Sequence, residues 1–286
     1  MTDGLTALRR GRAVVDLSTW RKVLVRGADA AVWLNDLLTA ELEGIRSGEG
    51  RRSLLLSPTG RIRADLTVTP HDEGLLLLQD PIQASPIDGA LTPYVLSSDV
   101  SLEDVSDRMG LLALPDGAAP EGGWTFRPSP LGTGRGLVFP HDVPPKVSGL
   151  EPADPQDLEA FRIEHGVPRF GVDLAEDSLP HEAPLDEAIA HGKGCFLGQE
   201  AVAKVRNLGH PPFVVLSLDA PTEVSAGDRL MAGDREVGRI TSATRSDGGA
   251  AALGRVRWTA RDAELSTGDG TALRRTDIRS TPGSAL

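Results

Sequence analysis

Apolar and polar residues follow two rhythms along the chain, one of period two and one of period near three and a half. Residues 13–17, Ala-Val-Val-Asp-Leu, predict a short strand. Between 28 and 42, Val32, Trp33, Leu34, Leu37 and Leu38 recur three and four apart, which marks one face of a helix. Asp29 stands where an N-cap or first-turn acid belongs. Residues 53–56 and 62–68 flank the turn sequence Pro58-Thr59-Gly60 and predict a hairpin. Along its second arm Ile62, Ala64, Leu66 and Val68 share one face; Arg61, Arg63, Asp65 and Thr67 share the other. His71 to Gly74 then turns the chain into the run Leu75 to Leu78, a third antiparallel neighbour.

Residues 81–98 predict a helix that Pro86, Gly89 and Pro93 interrupt. Residues 100–105 and 111–114 predict short strands, and 115–136, rich in Gly and Pro, a long connection. Asp154-Pro155 opens a helix, with Asp as N-cap and Pro in the first turn, and Gly166 and Pro168 close it. Beyond residue 212 the texture changes. Short apolar runs at 213–218, 237–240 and 251–258 are separated by turns such as Ala226-Gly227-Asp228, Gly233-Asp234 and Asp247-Gly248-Gly249. That spacing predicts a small sandwich or barrel. Residues 280–286 read as a tail.

A length of 286 residues suggests two domains, at roughly 150 residues each; the boundary falls at 211/212. Aromatic residues are only 4%, so aliphatic side chains must fill the cores. The single cysteine, Cys195, excludes an internal disulfide and a four-cysteine metal or iron–sulfur site within one chain. It also fits a reducing compartment. The N-terminal residues have no apolar signal core, and the longest apolar run is too short to span a membrane. A net charge of −11 disfavours direct nucleic-acid binding, which needs clustered cations. These features predict a soluble cytoplasmic protein with no membrane and no nucleic-acid partner.

Several motifs are incomplete. Gly132-x-Gly134-x-Gly136 does not join a strand to a helix and reads as a plain loop. His181-Glu182 begins like a zinc-protease motif, but position 185 is Leu185. There is no nucleophile elbow and no phosphate loop. The six histidines do not cluster, so no metal site is expected.

The stretch 158–209 carries the signal. It holds Arg162-Ile163-Glu164-His165-Gly166-Val167-Pro168, then Leu179-Pro180-His181-Glu182-Ala183-Pro184, then Lys193-Gly194-Cys195-Phe196-Leu197-Gly198-Gln199-Glu200. Taken by themselves these residues have plain readings. Glu182 is a surface acid, Asp65 a solvated strand residue, Cys195 a buried small hydrophobe and Lys193 a solvated charge. Gly194 and Gly198 serve tight backbone geometry, and Gln199 and Glu200 cap the loop or begin a helix.

The combination resembles the folate-binding superfamily that joins the glycine-cleavage T-protein (aminomethyltransferase) to the YgfZ-type proteins. The last octapeptide is similar to the YgfZ-branch signature. Trp33 to Thr39, Leu56 to Leu66 and Val237 to Ala243 extend the resemblance over most of the chain, except 106–150. It implies an α+β fold: an aminomethyltransferase-like folate-binding region of antiparallel sheets with flanking helices, plus a small C-terminal β-barrel. It implies tetrahydrofolate, or a substituted form, as cofactor. Glu182 matches the pterin-binding acid, whose carboxylate accepts two parallel donors. Asp65 matches the catalytic aspartate near the folate. The aminomethyltransferases carry an Arg where this chain has Leu208-Gly209-His210-Pro211; Arg206 or Arg169 could take its place. Cys195 is the candidate functional thiol, with Lys193, Lys204 and Arg206 near it in sequence. The resemblance thus implies a folate-binding accessory protein whose partners are iron–sulfur enzymes or cluster-assembly proteins, and through them tRNA modification. A folate-dependent aminomethyltransferase and an interaction module without folate are the alternatives.

Overall fold

The computed structural model describes residues 2–246 and 248–276. The expected tail at 280–286, and Asp247 of the last turn, lie outside them. In chain order the first elements are α1 (Asp3–Arg9), β1 (Ala13–Asp16), β2 (Arg21–Arg26), α2 (Ala30–Leu37), β3 (Arg51–Leu56), β4 (Ile62–His71), β5 (Gly74–Gln79) and α3 (Ile87–Leu91). Then come β6 (Ser101–Asp104), β7 (Met109–Leu114), β8 (Trp124–Phe126), β9 (Arg135–Pro140), β10 (Glu151–Ala153), α4 (Pro155–Glu164) and α5 (Gln199–Leu208). The last are β11 (Phe213–Ala220), β12 (Arg229–Ala232), β13 (Arg235–Ser246), β14 (Gly249–Arg257), β15 (Leu265–Thr267) and β16 (Ala272–Thr276).

The strands form two five-stranded sheets, ordered β10-β1-β7-β9-β8 and β3-β4-β5-β2-β6, and a closed barrel β11-β14-β13-β12-β15-β16. This is the α+β architecture with a C-terminal barrel that the sequence predicts. The two open sheets face each other across a core of Leu24, Leu76 and Leu78 from one, and Val15, Leu111, Phe126 and Val138 from the other. The far side of the second sheet is covered by Trp33, Leu34 and Leu38 around α2 and by Ile87 and Leu91 of α3. A further cluster joins the barrel to the rest: Leu54, Leu56 and Ile62 of the hairpin, Phe170 and Phe196 of the loops, and Val215 and Leu253 of the barrel. Among the described residues no helix is long and apolar enough to cross a membrane.

The predicted hairpin is β3–β4, with Leu54 opposite Asp65, and β5 is its antiparallel neighbour. The helix of 154–166 is α4, with Asp154 capping the backbone of Gln156 and Asp157. Other expectations change. The helix of 28–42 is only Ala30–Leu37, because Thr39 leaves it to bond Ala188 and Leu54 on other segments. Asp29 stands at the N-cap of α2 as expected, but its side chain makes no cap hydrogen bond; its carboxylate accepts the N–H of Asp99 instead. The helix of 81–98 is reduced to α3, which Pro86 precedes and which contains Gly89, and to one 3-10 turn that contains Pro93. The connection 115–136 contains β8, an edge strand. The strand β2 gives no alternating signal, since Lys22 to Val25 are buried on both faces.

Candidate functional site

A cavity of about 520 Å³ lies between the two open sheets and α4. Its apolar walls include Val15, Trp20, Leu66, Leu131, Phe161 and Phe170. Its polar lining includes Arg52, Asp65, Asp80, Gln83, Glu159 and Arg169.

Asp65 is placed there by the alternation of β4. Its neighbours Ala64 and Leu66 face the α2 core, so its own carboxylate faces the cavity wall. It is not a free, solvated acid. Arg52 of β3 holds it bidentately, Nε to Oδ1 at 3.0 Å and Nη2 to Oδ2 at 2.6 Å. Burial works against the charge of Arg52, but the attraction of Asp65 and of Glu187, 3.5 Å from Nη1, holds the guanidinium well above its usual range. Arg52 was absent from the sequence reading. The hairpin register carried the signal: with Leu54 opposite Asp65, Arg52 is the diagonal neighbour on the same face.

A second set of charges crosses the cavity. Arg169 grips Asp80 with Nε to Oδ2 at 2.6 Å and Nη2 to Oδ1 at 2.9 Å, and reaches Glu159 at 3.4 Å. Arg162 of α4 pairs with Glu159 and with the buried Asp173, Nη1 to Oδ2 at 2.7 Å. Asp173 also accepts from Thr241 Oγ1 at 2.5 Å and Ser242 Oγ at 2.7 Å of the barrel strand β13. Two consecutive strand residues normally point to opposite faces. Here the register of β13 slips between Ile240 and Ser242, and the bulge turns both hydroxyls onto one carboxylate. The Arg162 and Thr241-Ser242 motifs therefore meet in space, 80 residues apart, and tie barrel to cavity.

Glu182 is placed elsewhere. It is 0% exposed and does not line the cavity. Its carboxylate accepts from Leu179 N–H at 3.2 Å and Arg255 Nε of β14 at 2.9 Å. Burial pushes its pKa up, while the Leu179 N–H and Arg255 pull it down. The plain reading of Glu182 as a surface acid is thereby overturned. Next to it, both ring nitrogens of His181 are buried without a hydrogen-bond partner, and burial pushes that imidazole's pKa down.

The octapeptide forms a tethered loop leading into α5. Lys193 is buried, and its ammonium donates to the carbonyls of Asn35 at 2.5 Å, Leu38 at 2.6 Å and Ala40 at 2.8 Å. It thus satisfies carbonyls at the C-terminal end of α2, where a cation is favoured. Burial lowers its pKa to about 8, against the attraction of Glu41 and Asp36. The plain reading of Lys193 as a solvated charge fails, because all three N–H groups are engaged by the backbone. Phe196 enters the cluster that joins the barrel to the hairpin. Gly198 sits at φ +82°, and a Cβ there would lie 2.6 Å from the carbonyl oxygen of Ser57, so only glycine fits. Gly194 has open space and no such conformation, so tight geometry does not explain it. Gln199 and Glu200 begin α5. Cys195 is exposed, which overturns its reading as a buried hydrophobe. It does not line the cavity, and neither does Arg206, which lies in the last turn of α5. Of the sequence-predicted residues, the cavity holds Asp65 and Arg169. Glu182 and Cys195 stand apart from them.

Residues 1–119 match the GCVT N-terminal domain family. Over 82% of its length the chain is 27% identical to an aminomethyltransferase of Thermus thermophilus, covering 76% of that protein. It is 25% identical, over 88% of its length, to a chloroplastic protein of Arabidopsis thaliana, of which it spans 66%, just under two thirds. The crystal structure of glycine cleavage system aminomethyltransferase T from Bartonella henselae has the same fold. The TM-score is 0.78 at 21% identity, covering 96% of this chain and 88% of that one. Together these likenesses support the aminomethyltransferase-like superfamily.

Proposed function

We propose that the chain binds tetrahydrofolate, or a substituted form, in the cavity beside Asp65. On this reading it is a YgfZ-type accessory protein that supports iron–sulfur cluster assembly or repair, and thereby tRNA modification, with Cys195 as its functional thiol. The observation that carries the folate reading is the cavity itself: about 520 Å³, apolar-walled, with carboxylates among its lining. That size falls in the range of small-molecule sites. Bound tetrahydrofolate supplies a carrier for one-carbon units.

The residues present fit such a ligand. Trp20, Phe161 and Phe170 offer apolar surface to a flat ring and exclude water. Arg52 takes one hydrogen bond to each oxygen of Asp65, yet each of these oxygens retains a further lone pair for a ligand N–H. Arg169 and Glu159 supply a donor and an acceptor on the α4 side. Glu182 acts from the barrel interface, since Arg255 and Leu179 already take its carboxylate. The thiol of Cys195 faces outward, so its chemistry is with a partner at the surface. One thiolate supplies one ligand to a cluster, and the partner supplies the others.

The likeness to a protein named aminomethyltransferase favours a second reading, one-carbon transfer. Against it stands Arg52: a cationic amine beside Asp65 meets the like charge of the guanidinium, which a neutral ring N–H does not. Calorimetric titration of tetrahydrofolate and 5-formyl-tetrahydrofolate tests the folate reading. Binding is expected in the micromolar range, weakened at least about tenfold in Asp65→Asn, which loses a charge-assisted acceptor. Glu182→Ala is expected to lower stability and spare affinity; the reverse assigns Glu182 to the pterin. Formation of methylene-tetrahydrofolate from a methylamine-like donor whose carbon is already at the formaldehyde level, an aminomethyl group on sulfur, with release of the thiol and ammonia, moves the assignment to a transferase. Full rescue of iron–sulfur enzyme activity in a deletion strain by Cys195→Ser removes the thiol from the account.

A further inference from the structure

The geometry points to Gln83 as the positioning residue of Asp65, and this inference rests on the folate reading of the cavity. The strand β5 pairs with β4 only as far as Gln79 opposite Leu66. One residue further along β4, at Asp65, the chain that should continue the ladder has turned away at Asp80. A backbone left open there, in a buried wall, loses the hydrogen bonds that fix a strand. Gln83 fills the gap with its side chain. Its Oε1 accepts the N–H of Asp65 at 3.0 Å, and its Nε2 donates to the carbonyl of Asp65 at 2.6 Å. A primary amide has the same donor and acceptor as a peptide group, so Gln83 stands in for the missing strand residue.

Gln83 is itself held. It is 3% exposed, and its Oε1 also accepts from Nε2 of the fully buried Gln79 at 3.1 Å. Gln79 donates onward to the Ser85 carbonyl at 2.9 Å and accepts from the Ile87 N–H at 2.9 Å and from Arg21 Nη1 at 3.3 Å. Arg21 Nη1 donates in turn to the carbonyl of Gln83 at 2.9 Å. Every amide in this chain has one orientation that satisfies its neighbours, so the network admits a single arrangement. The network ends on the backbone of Asp65, the residue whose carboxylate meets Arg52. Arg52 fixes the carboxylate, and Gln83 fixes the backbone that carries it.

The test is a double-mutant cycle in the full chain, with tetrahydrofolate as ligand. Gln83→Leu is expected to weaken binding about tenfold, and Gln83→Glu, which keeps the acceptor but not the donor, to weaken it less. In an Asp65→Asn background Gln83→Leu is expected to add nothing further, because it acts through Asp65. A merely structural role gives additive losses, and additive losses, or wild-type affinity in Gln83→Leu, overturn the assignment. Should the wild-type chain bind no folate, the folate reading falls by itself. The role of Gln83 is then read from amide hydrogen exchange. Gln83→Leu is expected to speed exchange at Asp65 at least about tenfold while sparing Thr67, which lies in the regular ladder opposite Leu78. Unchanged exchange at Asp65 overturns it, as does loss of protection at both positions.

Discussion

The cavity and the Cys195 loop are built on opposite plans. In the loop, chemistry is written in one contiguous octapeptide, yet most of its letters serve geometry. Lys193 fastens it to α2, Phe196 to the cluster that joins barrel and hairpin, and Gly198 to the hairpin turn. Cys195 is left facing solvent, with Gly194 and Glu200 exposed beside it. In the cavity, the charged groups come from several separate segments of the chain. Arg52 comes from β3, Asp65 from β4, Asp80 from the turn after β5, and Glu159 from α4. All of them are ion-paired with each other or with Arg162 and Arg169. A conspicuous sequence motif here marks a scaffold for an exposed thiol, while the polar site is assembled from inconspicuous residues.

Four substitutions or conditions sharpen that contrast. The largest effect is expected on the cavity side. Asp173→Ala removes the acceptor shared by Arg162, Thr241 and Ser242, and leaves a buried guanidinium half-paired. A loss of about 3–5 kcal/mol in urea unfolding is expected. A loss below about 1 kcal/mol would show that the barrel does not brace the cavity. On the loop side, Gly198→Ala imposes a left-handed backbone on a residue with a Cβ and drives that Cβ toward Ser57. About 3 kcal/mol is expected by the same measurement. A neutral outcome there would mean that the loop is not clamped to the hairpin.

The third prediction concerns pH. Burial holds both Lys22, which donates to the carbonyls of Ser18 and Trp20, and Lys193 near pKa 8. The unfolded chain keeps lysine protonated up to its ordinary value of 10.5. Between pH 8 and that value the folded chain binds fewer protons, so stability rises with pH. The cost of these buried charges is full below pH 8 and disappears across the window. Urea midpoints at pH 7 and 9.5 should show this rise in the wild type and a smaller one in Lys22→Met; equal slopes refute it. The smallest effect on stability is expected from Cys195→Ser, within about 0.5 kcal/mol, since the side chain is exposed. A larger loss would place the thiol among the structural letters of its own motif.

The sequence by itself determined the local elements whose signal is local. Alternation fixed the face of β4 on which Asp65 stands, Asp154-Pro155 fixed the start of α4, and the spacing of short strands fixed a small all-β unit at the C-terminal end, a sandwich or a barrel. It also marked residues 193–200 as special. What it could not assign were the partners. Arg52 and Gln83 reach Asp65 through a register and a chain reversal, and Asp173 meets Thr241 and Ser242 through a bulge. Glu182 and Lys193 looked like surface charges because burial of a charge depends on distant acceptors and donors: Arg255 for one, three carbonyls around α2 for the other. Periodicity follows from the backbone repeat of each element, so it can be read along the chain. The desolvation and pairing of a charge follow from what packs against it, and that only the tertiary structure decided.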